Sequence, residues 1–492
     1  MTLMTKYQSI LSTKRQRESG VSGRTIITAS ESDRGRVLFC PAFRRLQQKA
    51  QVFSMEPNAA VRSRLTHSLE VSQIGRYIAD EIGERLQRGR QLTAIQRAAF
   101  VNFVETACLM HDIGNPPFGH FGEAAIQKWF SEYGESCVTS SISLKVGKIG
   151  SGDLRLIESL SDFNEFDGNP QGLRIVTRLQ WNTDEYGLNL TSTALASFLK
   201  YIRCAGDSPE GSFRKKAGYF STERSIVNAV WAEFGYVAPQ RFPLAYVMEA
   251  ADDIAYCVSD LEDSYEKGLV HLPSAIKEIN KAFRARKNVE RDHRYAAIQE
   301  AISFVLRGKR ADGTEFTYTD FRTSVNRIIV GYVADRYVEH HKEVFDGTLD
   351  TLLPLDSPCG AILDVLKCYC RDNVYGHESI QKTELAGYTA IRGLLDHFRP
   401  LLECSGGRFM SALNNLKKDS SGKQIIIESK LLKLFPEKYI KVYRHHIAGA
   451  KNDDPEKFVE WNARAHLVVD FVSGMTDDFA MTTYRTLSGM RL

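Results

Sequence analysis

Apolar residues recur at intervals of three and four along most of this 492-residue chain, and that spacing is typical of helices packed on one face. The clearest case begins at Leu244 and continues through Val247, Met248, Ala251, Ile254, Ala255, Val258 and Leu261. The same spacing predicts helices over about 68–88, 95–112, 121–131, 192–203, 272–307, 320–342, 358–371 and 385–403. Alternating strand patterns are few and short. The sequence therefore predicts an all-α protein.

The chain is longer than one hydrophobic core usually serves, so we expect a main domain with an appended unit. A boundary is expected near Ser405, where two glycines follow, and a basic, polar stretch over 417–423 is predicted to be a mobile loop. The predicted organisation is an N-terminal arm over 1–30, a main domain over 31–404 and a C-terminal helical region over 405–492.

Composition restricts the class of protein without identifying it. Lys and Arg together number 64 against 60 Asp and Glu, a net charge of only +4, so any nucleic-acid site would have to be a local patch. Nine cysteines lack the spacing of a metal site, and the N-terminus has no secretory apolar region, which predicts reduced thiols in the cytoplasm. No stretch approaches the roughly eighteen apolar residues of a membrane span.

The segment 111–120 carries the residue types of a metal-dependent active site. His111 and Asp112 close an apolar run that reads as a buried helix, and Gly-Asn-Pro-Pro over 114–117 then stops it. An imidazole and a carboxylate at a helix end beside a loop can share one divalent cation. These ligand types suit Mn, Fe, Zn or Mg, and the helix end leaves room for water.

Two ligands do not hold a metal, and the other candidates are His67 and Asp252. Asp252 belongs to a polar stripe on the helix that begins near Leu244, formed by Glu249, Asp252, Tyr256 and Ser259. Such a stripe beside an apolar face fits a metal-lined cleft. Asp253 is an alternative ligand that spacing alone does not exclude, and a solvated acidic face is the simpler interpretation of the Asp-Asp pair.

The order His, then His-Asp, then a distant Asp resembles the HD-domain phosphohydrolases. The flanking sequence is similar to the deoxyguanosine triphosphate triphosphohydrolases in particular. The similarity covers most of the chain and runs through 32–36, 43–47, 64–70, 111–123, 166–172, 250–263 and 473–477. It implies an HD-type helical fold for 31–404 with an extra C-terminal helical unit, and a single divalent ion, Mn or Mg before Fe or Zn. The implied ligands are His67, His111, Asp112 and Asp252.

The chemistry also requires a proton donor, because the 5′ oxygen of a nucleoside is a poor leaving group at neutral pH. His120 is the candidate, and Glu123 lies three residues later on the same helical face, where its carboxylate could fix the tautomer and raise the imidazole pKa. A helix-entry pair without a catalytic duty is the alternative. In similar triphosphohydrolases the matching His and Glu are catalytic, and we expect the same here.

The resemblance implies hydrolysis of dGTP to deoxyguanosine and tripolyphosphate by a metal-activated water, with His120 as general acid. It assigns Arg64, Lys200 and Lys216 to the phosphates, although Ala217 stands where relatives carry Pro. The remaining substrate positions are Gln51 at the sugar 3′ hydroxyl, Asn169 on a substrate-side loop, Tyr256 near the sugar, and Tyr375 and Glu384 near the guanine. A carboxylate that accepts from the guanine N1 and N2 donors has a physical rationale.

Relatives also suggest partners. Similar bacterial enzymes are hexamers that bind single-stranded DNA, and one donates an Arg into the neighbouring subunit's site from the region after Gly407. Here no clear Arg lies between Arg408 and Arg444, and Lys cannot reproduce its planar fork. Basic residues cluster instead at Lys281, Arg284, Arg286, Lys287, Arg291 and Arg294, and at Lys417, Lys418 and Lys423. They could track a phosphate backbone or be solvated helix faces.

Three hypotheses remain open from the sequence. The first is a dGTP triphosphohydrolase, and the second is a broader dNTP hydrolase or another HD-type nucleotide phosphohydrolase. The third is a nucleic-acid-binding protein with a vestigial HD site, against which the intact ligand set argues.

Overall fold

The computed structural model describes residues 3–56, 58–142, 154–308, 314, 317–448 and 454–490. The fold is all-α, which confirms the prediction from periodicity. The N-terminal helices are α1 (Leu3–Ser9), α2 (Ile26–Leu38) and α3 (Pro41–Arg45). The helices of the first half of the main body are α4 (Arg64–Arg88), α5 (Ala94–Met110), α6 (Gly119–Ile142), α7 (Leu154–Asn164), α8 (Gly168–Arg174), α9 (Ser192–Phe198), α10 (Arg224–Glu233) and α11 (Pro243–Glu266).

The second half of the main body is also helical. It contains α12 (Leu272–Ala285), α13 (His293–Arg307), α14 (Tyr318–Glu339), α15 (His341–Asp346), α16 (Pro358–Asn373) and α17 (Glu378–Glu403). The C-terminal helices are α18 (Gly406–Leu413), α19 (Ile427–Leu432), α20 (Glu437–His446), α21 (Asp454–Ser473) and α22 (Asp477–Leu487). Two short parallel strands, β1 (Arg203–Cys204) and β2 (Ala217–Tyr219), form the only sheet among the described residues.

Local sequence fixes where the helices of the site begin. Ser63 and Thr66 form a capping box at the start of α4, in which the Thr66 N–H donates to Ser63 Oγ at 3.4 Å and the Ser63 N–H donates to Thr66 Oγ1 at 3.0 Å. Thr93 and Gln96 do the same for α5. The box of α4 places Arg64 and His67 in the first turn of that helix.

Helices α4, α5 and α11 pack against one another and form the centre of the fold. Their contact faces are fully buried, as shown by Ile78 and Ile82 on α4, Phe103 on α5, and Ala251 and Ile254 on α11. Helix α5 is buried almost all round from Ala99 to its end, as its long apolar run predicts. This packing brings the start of α4, the end of α5 and the middle of α11 to one place.

The C-terminal helices pack onto the main body. Helix α17 lies against α6 and α22, and α21 lies against α6 and α7. Arg174 on α8 forms buried ion pairs with Asp470 on α21 (Nη2 to Oδ2, 2.9 Å) and with Glu223 (Nη1 to Oε1, 3.1 Å). The extra helical unit is present, and the predicted boundaries at residues 30 and 405 stay predictions.

One predicted helix is wrong in its extent. The periodicity predicts a single helix over 272–307, whereas α12 and α13 are separated by an irregular connector. Asn288 adopts a left-handed conformation (φ +62°), and the Glu290 N–H donates to the Asp356 carbonyl at 2.9 Å. Asp292 then caps α13 by accepting from the Arg294 and Tyr295 N–H groups.

Other helices differ at their ends: α6 continues to Ile142, past the predicted end at 131, and α17 begins at Glu378, before the predicted start at 385. Helix α9 ends at Phe198, so Lys200 follows the helix rather than belonging to it. The basic stretch over 417–423 forms a hydrogen-bonded turn, in which Asp419 accepts from the Lys423 N–H and pairs with Arg408 (Nη1 to Oδ2, 2.7 Å). In the described ranges, no helix has the length and apolar composition needed to cross a membrane.

Candidate metal and nucleotide site

The predicted site residues meet at a single cavity of about 920 Å³. Its lining includes Gln51, Arg64, His111, Asp112, His120, Glu123, Asn169, Lys200, Lys216, Asp252, Tyr256, Tyr375 and Glu384. His67 is the one predicted site residue that does not line the cavity. It is fully buried beneath it, on the first turn of α4.

The floor of the cavity holds a group of potential metal ligands. Ligand atoms of His67, His111 and Asp252 all lie within 4.8 Å of one another. Asp252 Oδ1 is 3.5 Å from His67 Nε2 and 3.5 Å from His111 Nε2. Three helices supply these side chains, since His67 lies on α4, His111 caps the end of α5 and Asp252 lies on α11.

The nitrogen atoms of the two histidines fit a metal ion. The Nδ1–H of His111 donates to the Cys108 carbonyl at 2.8 Å, which leaves the lone pair of Nε2 facing Asp252. His111 Nε2 and both ring nitrogens of His67 are buried without a hydrogen-bond partner. A buried polar atom without a partner costs free energy, which a bound cation removes. Two imidazoles and a carboxylate suit a divalent transition metal.

Asp112 lies beside this group but is engaged elsewhere. Its Oδ2 pairs with Arg64 Nη1 at 2.5 Å and is 3.6 Å from His111 Nε2, and its Oδ1 accepts from Asn115 Nδ2 at 2.6 Å. Burial acts to raise the pKa of Asp112, but the Arg64 guanidinium and His111 lower it to about 2. The side chain is therefore a carboxylate at neutral pH, and its role as a fourth ligand stays a prediction.

The two neighbouring aspartates of α11 point to different partners. Asp252 faces the histidines, and its Oδ2 is 3.3 Å from Lys200 Nζ. Asp253 pairs with Lys367 on α16 (Oδ1 to Nζ, 2.8 Å). Burial acts to raise the pKa of Asp252, but Lys200, His111 and His67 lower it well below its usual value. Of the two, only Asp252 has the geometry of a ligand.

His120 lies at the rim, and its side chain is 82% exposed. Its Nδ1 is 2.7 Å from Glu123 Oε2, and Glu123 Oε1 accepts from the Gly168 N–H at 2.8 Å. The hydrogen bond to Glu123 raises the pKa of His120. Because Glu123 is buried and its other oxygen is held by the Gly168 N–H, it fixes the orientation of the imidazole.

A tight turn delivers His120 to the rim. Phe118 and Gly119 both adopt left-handed conformations (φ +61° and +54°) immediately before the body of α6. The Arg64 guanidinium also approaches this turn closely, since a Cβ at Gly119 would lie 2.7 Å from Nη2. The turn thus brings the proposed acid and a cavity cation close together.

Each predicted phosphate-binding cation that faces the cavity is held by a carboxylate. Arg64 pairs with Asp112, and Lys200 pairs with Asp252. Lys216 Nζ donates to Asp167 Oδ2 at 2.6 Å, and Asn169 Nδ2 donates to Oδ1 of the same aspartate at 2.5 Å. Burial acts to lower the pKa of Lys216, but Asp167 raises it, so the ammonium stays charged.

Two tyrosines that line the cavity are joined by a hydrogen bond. The Tyr256 and Tyr375 hydroxyls are 2.7 Å apart, and the Tyr375 hydroxyl donates to Asp260. Burial raises the pKa of Asp260 to about 7. Glu384 on α17 is half-buried, and burial raises its pKa. Gln51 Oε1 is buried without a partner.

Some cavity residues escaped the sequence reasoning. Tyr201, Asp167 and Lys367 contribute to the lining without having been predicted. Tyr201 is adjacent to Lys200, and Asp167 caps α8. Their neighbours in the sequence could therefore have indicated both residues. No neighbouring residue indicates Lys367, because only the packing of α16 on α11 brings it to Asp253.

The comparisons agree with this geometry. Residues 64–165 match the HD domain family, so the fold and the His67, His111 and Asp252 group define an HD-domain protein, a class that implies a divalent metal. The chain is 36% identical over 490 residues to a deoxyguanosinetriphosphate triphosphohydrolase of Salmonella paratyphi A. It is 37% identical over 490 residues to one of Salmonella schwarzengrund (strain CVM19633), and each comparison covers 94% of both chains. The chain belongs to the deoxyguanosinetriphosphate triphosphohydrolase family of hydrolases, which confirms the resemblance.

Proposed function

We propose that the protein hydrolyses dGTP to deoxyguanosine and tripolyphosphate. One observation carries the proposal: the same cavity holds buried, unpartnered histidine nitrogens at its floor and a protonatable, carboxylate-held histidine at its rim. Relatives at 36% and 37% identity are named for activity on this nucleotide. The volume of about 920 Å³ is sufficient for a nucleoside triphosphate.

The floor residues are proposed to hold the cofactor. His67, His111 and Asp252, with Asp112 as the fourth ligand, would hold one divalent ion, Mn or Mg. When bound, that ion supplies Lewis-acid assistance and a water nucleophile at neutral pH. Arg64, Lys200 and Lys216 would orient the phosphate oxygens by charge-assisted hydrogen bonds.

The rim residues are proposed to handle the proton. Since Nδ1 of His120 donates to Glu123, Nε2 is the nitrogen that presents its proton to the cavity. Protonation of the departing 5′ oxygen by Nε2–H would avoid release of an alkoxide. Glu123 then stabilises the imidazolium before transfer and keeps the ring oriented.

Sugar and base contacts set the specificity. Gln51 would contact the 3′ hydroxyl, Asn169 would act from the substrate-side loop and Tyr256 would contact the sugar. Tyr375 and Glu384 would meet the guanine, with the carboxylate accepting from N1 and N2. A broader dNTP triphosphohydrolase is the second candidate, because in the described part of the chain no hydrogen bond or ion pair orients Glu384.

Product analysis tests the proposal. Each dNTP is incubated with the protein in Mg and in Mn, and the products are separated by ion exchange. We expect deoxyguanosine and tripolyphosphate, with dGTP the preferred substrate. Pyrophosphate or monophosphate as the primary product would point to a different HD-type phosphohydrolase, and equal rates on all four dNTPs would favour the broader enzyme.

We also propose a homohexamer that binds single-stranded DNA in the cytoplasm. Lys417, Lys418 and Lys423 are exposed, as a backbone-tracking patch requires. The 281–294 cluster contributes less free charge, because Arg286 pairs with Asp364 and Arg294 with Asp335. The cysteines of the described residues are free thiols, which suits a reducing compartment.

Two measurements test the partners. Sedimentation of the purified chain measures its oligomeric state. A monomeric chain would contradict the proposed hexamer. Titration of an unstructured oligonucleotide at two ionic strengths should show binding that weakens steeply with salt and alters dGTP hydrolysis. Absence of binding at low salt would defeat the DNA proposal.

A further inference from the structure

The segment 473–477 is one of the stretches that resemble the family, yet none of its residues lines the cavity. Asp477 is the first residue of α22 and is 4% exposed. Its Oδ1 accepts from the Phe118 N–H at 3.1 Å, and its Oδ2 accepts from the Ala50 N–H at 3.0 Å. One carboxylate therefore holds two loops that are distant in sequence, and both loops carry proposed site residues.

Lys49 reinforces the same junction. Its Nζ donates to the Asn115 carbonyl at 2.5 Å and to the Ser473 carbonyl at 2.9 Å. Its own carbonyl accepts from the Arg64 N–H at 2.9 Å. The side chain is buried, so these contacts replace its hydration. Lys49 thus ties the loop after Asp112 to the turn between α21 and α22.

The loop needs such support because of its backbone. Phe118 has φ +61°, a conformation that a bulky L-residue adopts only when its surroundings enforce it. Its ring packs tightly against α17, where a Cβ at Gly387 would lie 2.2 Å from Phe118 Cγ. The ring and the amide of Phe118 are therefore both fixed, the amide by Asp477.

We propose that Asp477 is a positioning residue that sets His120 against the nucleotide, acting through the Phe118 and Ala50 amides. His120 follows Phe118 by two residues, and Gln51 follows Ala50 directly. Both side chains line the cavity, whereas Asp477 does not. The inference rests on the proposed function, in which His120 is the acid and Gln51 a substrate contact. A shift of these loops displaces the acid relative to the 5′ oxygen without removing any group that reacts.

The first test is the variant Asp477→Asn. It keeps the size of the side chain but places an NH₂ group against one of the two N–H donors, so one hydrogen bond is lost. We expect kcat on dGTP to fall by about 10- to 100-fold, a loss typical of a small misplacement of a reacting group. Asp478→Asn is the matched control, because Asp478 is exposed, is the next residue on α22 and loses the same charge. It should keep the parent kcat.

A double-mutant comparison separates positioning from a merely structural effect. In a His120→Ala background, Asp477→Asn should cause little further loss of kcat, because the displaced group is already absent. An equal fold-loss in both backgrounds, or a parent kcat for Asp477→Asn alone, overturns the inference. A parent kcat for His120→Ala alone instead overturns the proposed acid, so the two failures are distinguishable.

A second variant covers the case in which Asp477→Asn does not fold. Lys49→Met keeps the length and burial of the side chain but removes both donations to the Asn115 and Ser473 carbonyls. It should show the same pattern, a kcat loss that largely disappears in the His120→Ala background. Circular dichroism and bound-metal content confirm that each variant is folded and loaded, and a folded, loaded Lys49→Met with the parent kcat counts against the inference.

Discussion

The floor and the rim of the cavity use histidine in opposite ways. His67 at the floor is fully buried, the side chain of His111 is 5% exposed, and both have ring nitrogens without a partner. His120 at the rim is 82% exposed and held at Nδ1 by Glu123. A buried imidazole with a free lone pair suits a cation, because the ligand form is neutral. An exposed imidazole beside a carboxylate suits proton transfer, because its charged form is stabilised.

This comparison shows that the type of a residue does not determine its role. The burial of the side chain and the group with which it pairs determine the role. Asp252 and Asp253 make the same point within one helix, since the first faces two histidines and the second pairs with a lysine.

The largest effect is expected at the floor. Asp252→Ala should lose bound metal and lower turnover by about 10³-fold or more, because several kcal/mol of transition-state stabilisation depend on the ion. Metal content by elemental analysis and dGTP turnover are measured together. Asp253→Ala is the matched control and should retain its metal. A full metal complement in Asp252→Ala with a loss in Asp253→Ala would reverse the ligand assignment.

The next effect is expected at the rim. His120→Ala should bind metal and dGTP but turn over about 10² to 10⁴ times more slowly, as for the loss of a general acid. Binding is measured by calorimetry with His120→Ala, whose slow turnover preserves the dGTP, and kcat is measured by product formation. His271→Ala, at an exposed histidine that does not line the cavity, is the control. A near-parental rate for His120→Ala would remove this residue from the mechanism.

A smaller effect is expected for base selection. Glu384→Ala should reduce the preference for dGTP over dATP by about 10-fold, the lower end of the range for hydrogen bonds to a charged group, because the side chain is only half-buried. The ratio of kcat/KM values for the two nucleotides is the measurement. Glu378→Ala, in the exposed first turn of the same helix, should leave the ratio unchanged. An unchanged ratio in Glu384→Ala would exclude this carboxylate from base recognition.

The smallest effect is expected in the pH dependence of kcat. The hydrogen bond to Glu123 raises the pKa of His120, so the protonated acid persists to higher pH, and activity declines as the pH rises through that pKa. Glu123→Gln removes the negative charge and should move the alkaline limb of the kcat profile to lower pH. A profile that does not move would show that another group controls this limb.

Much of the fold could be predicted from the sequence, because the positions of the helices depend on local sequence patterns. The apolar spacing after Leu244 predicts α11. Of the polar stripe predicted on this helix, Asp252 and Tyr256 line the cavity, whereas Glu249 pairs with Arg241 and Ser259 does not line it. The split between α12 and α13 was missed because apolar spacing continues on both sides of the break. Asp292 as a helix cap was the available local signal.

The site could be predicted from the sequence only where its residues belong to a recognisable motif. The residues around His111 and His120 are close in sequence, so their neighbourhood could be read directly. Lys367 and Asp477 could not be placed, because their contacts with Asp253 and with the Phe118 amide depend on the tertiary packing of α16 and α22. Similarly, the engagement of Asp112 by Arg64 depends on how α4 meets the end of α5.

The hydrogen bonds that Asp477 accepts from the Ala50 and Phe118 amides couple the hydrogen exchange of these two amides. The Ala50 and Phe118 amides lie far apart in the chain, but their acceptors are the two oxygens of one side chain at the start of α22. Each amide is released to solvent when that first turn detaches, so the two belong to one unit of cooperative opening. Their exchange rates should respond together to denaturant, with one opening free energy and one slope.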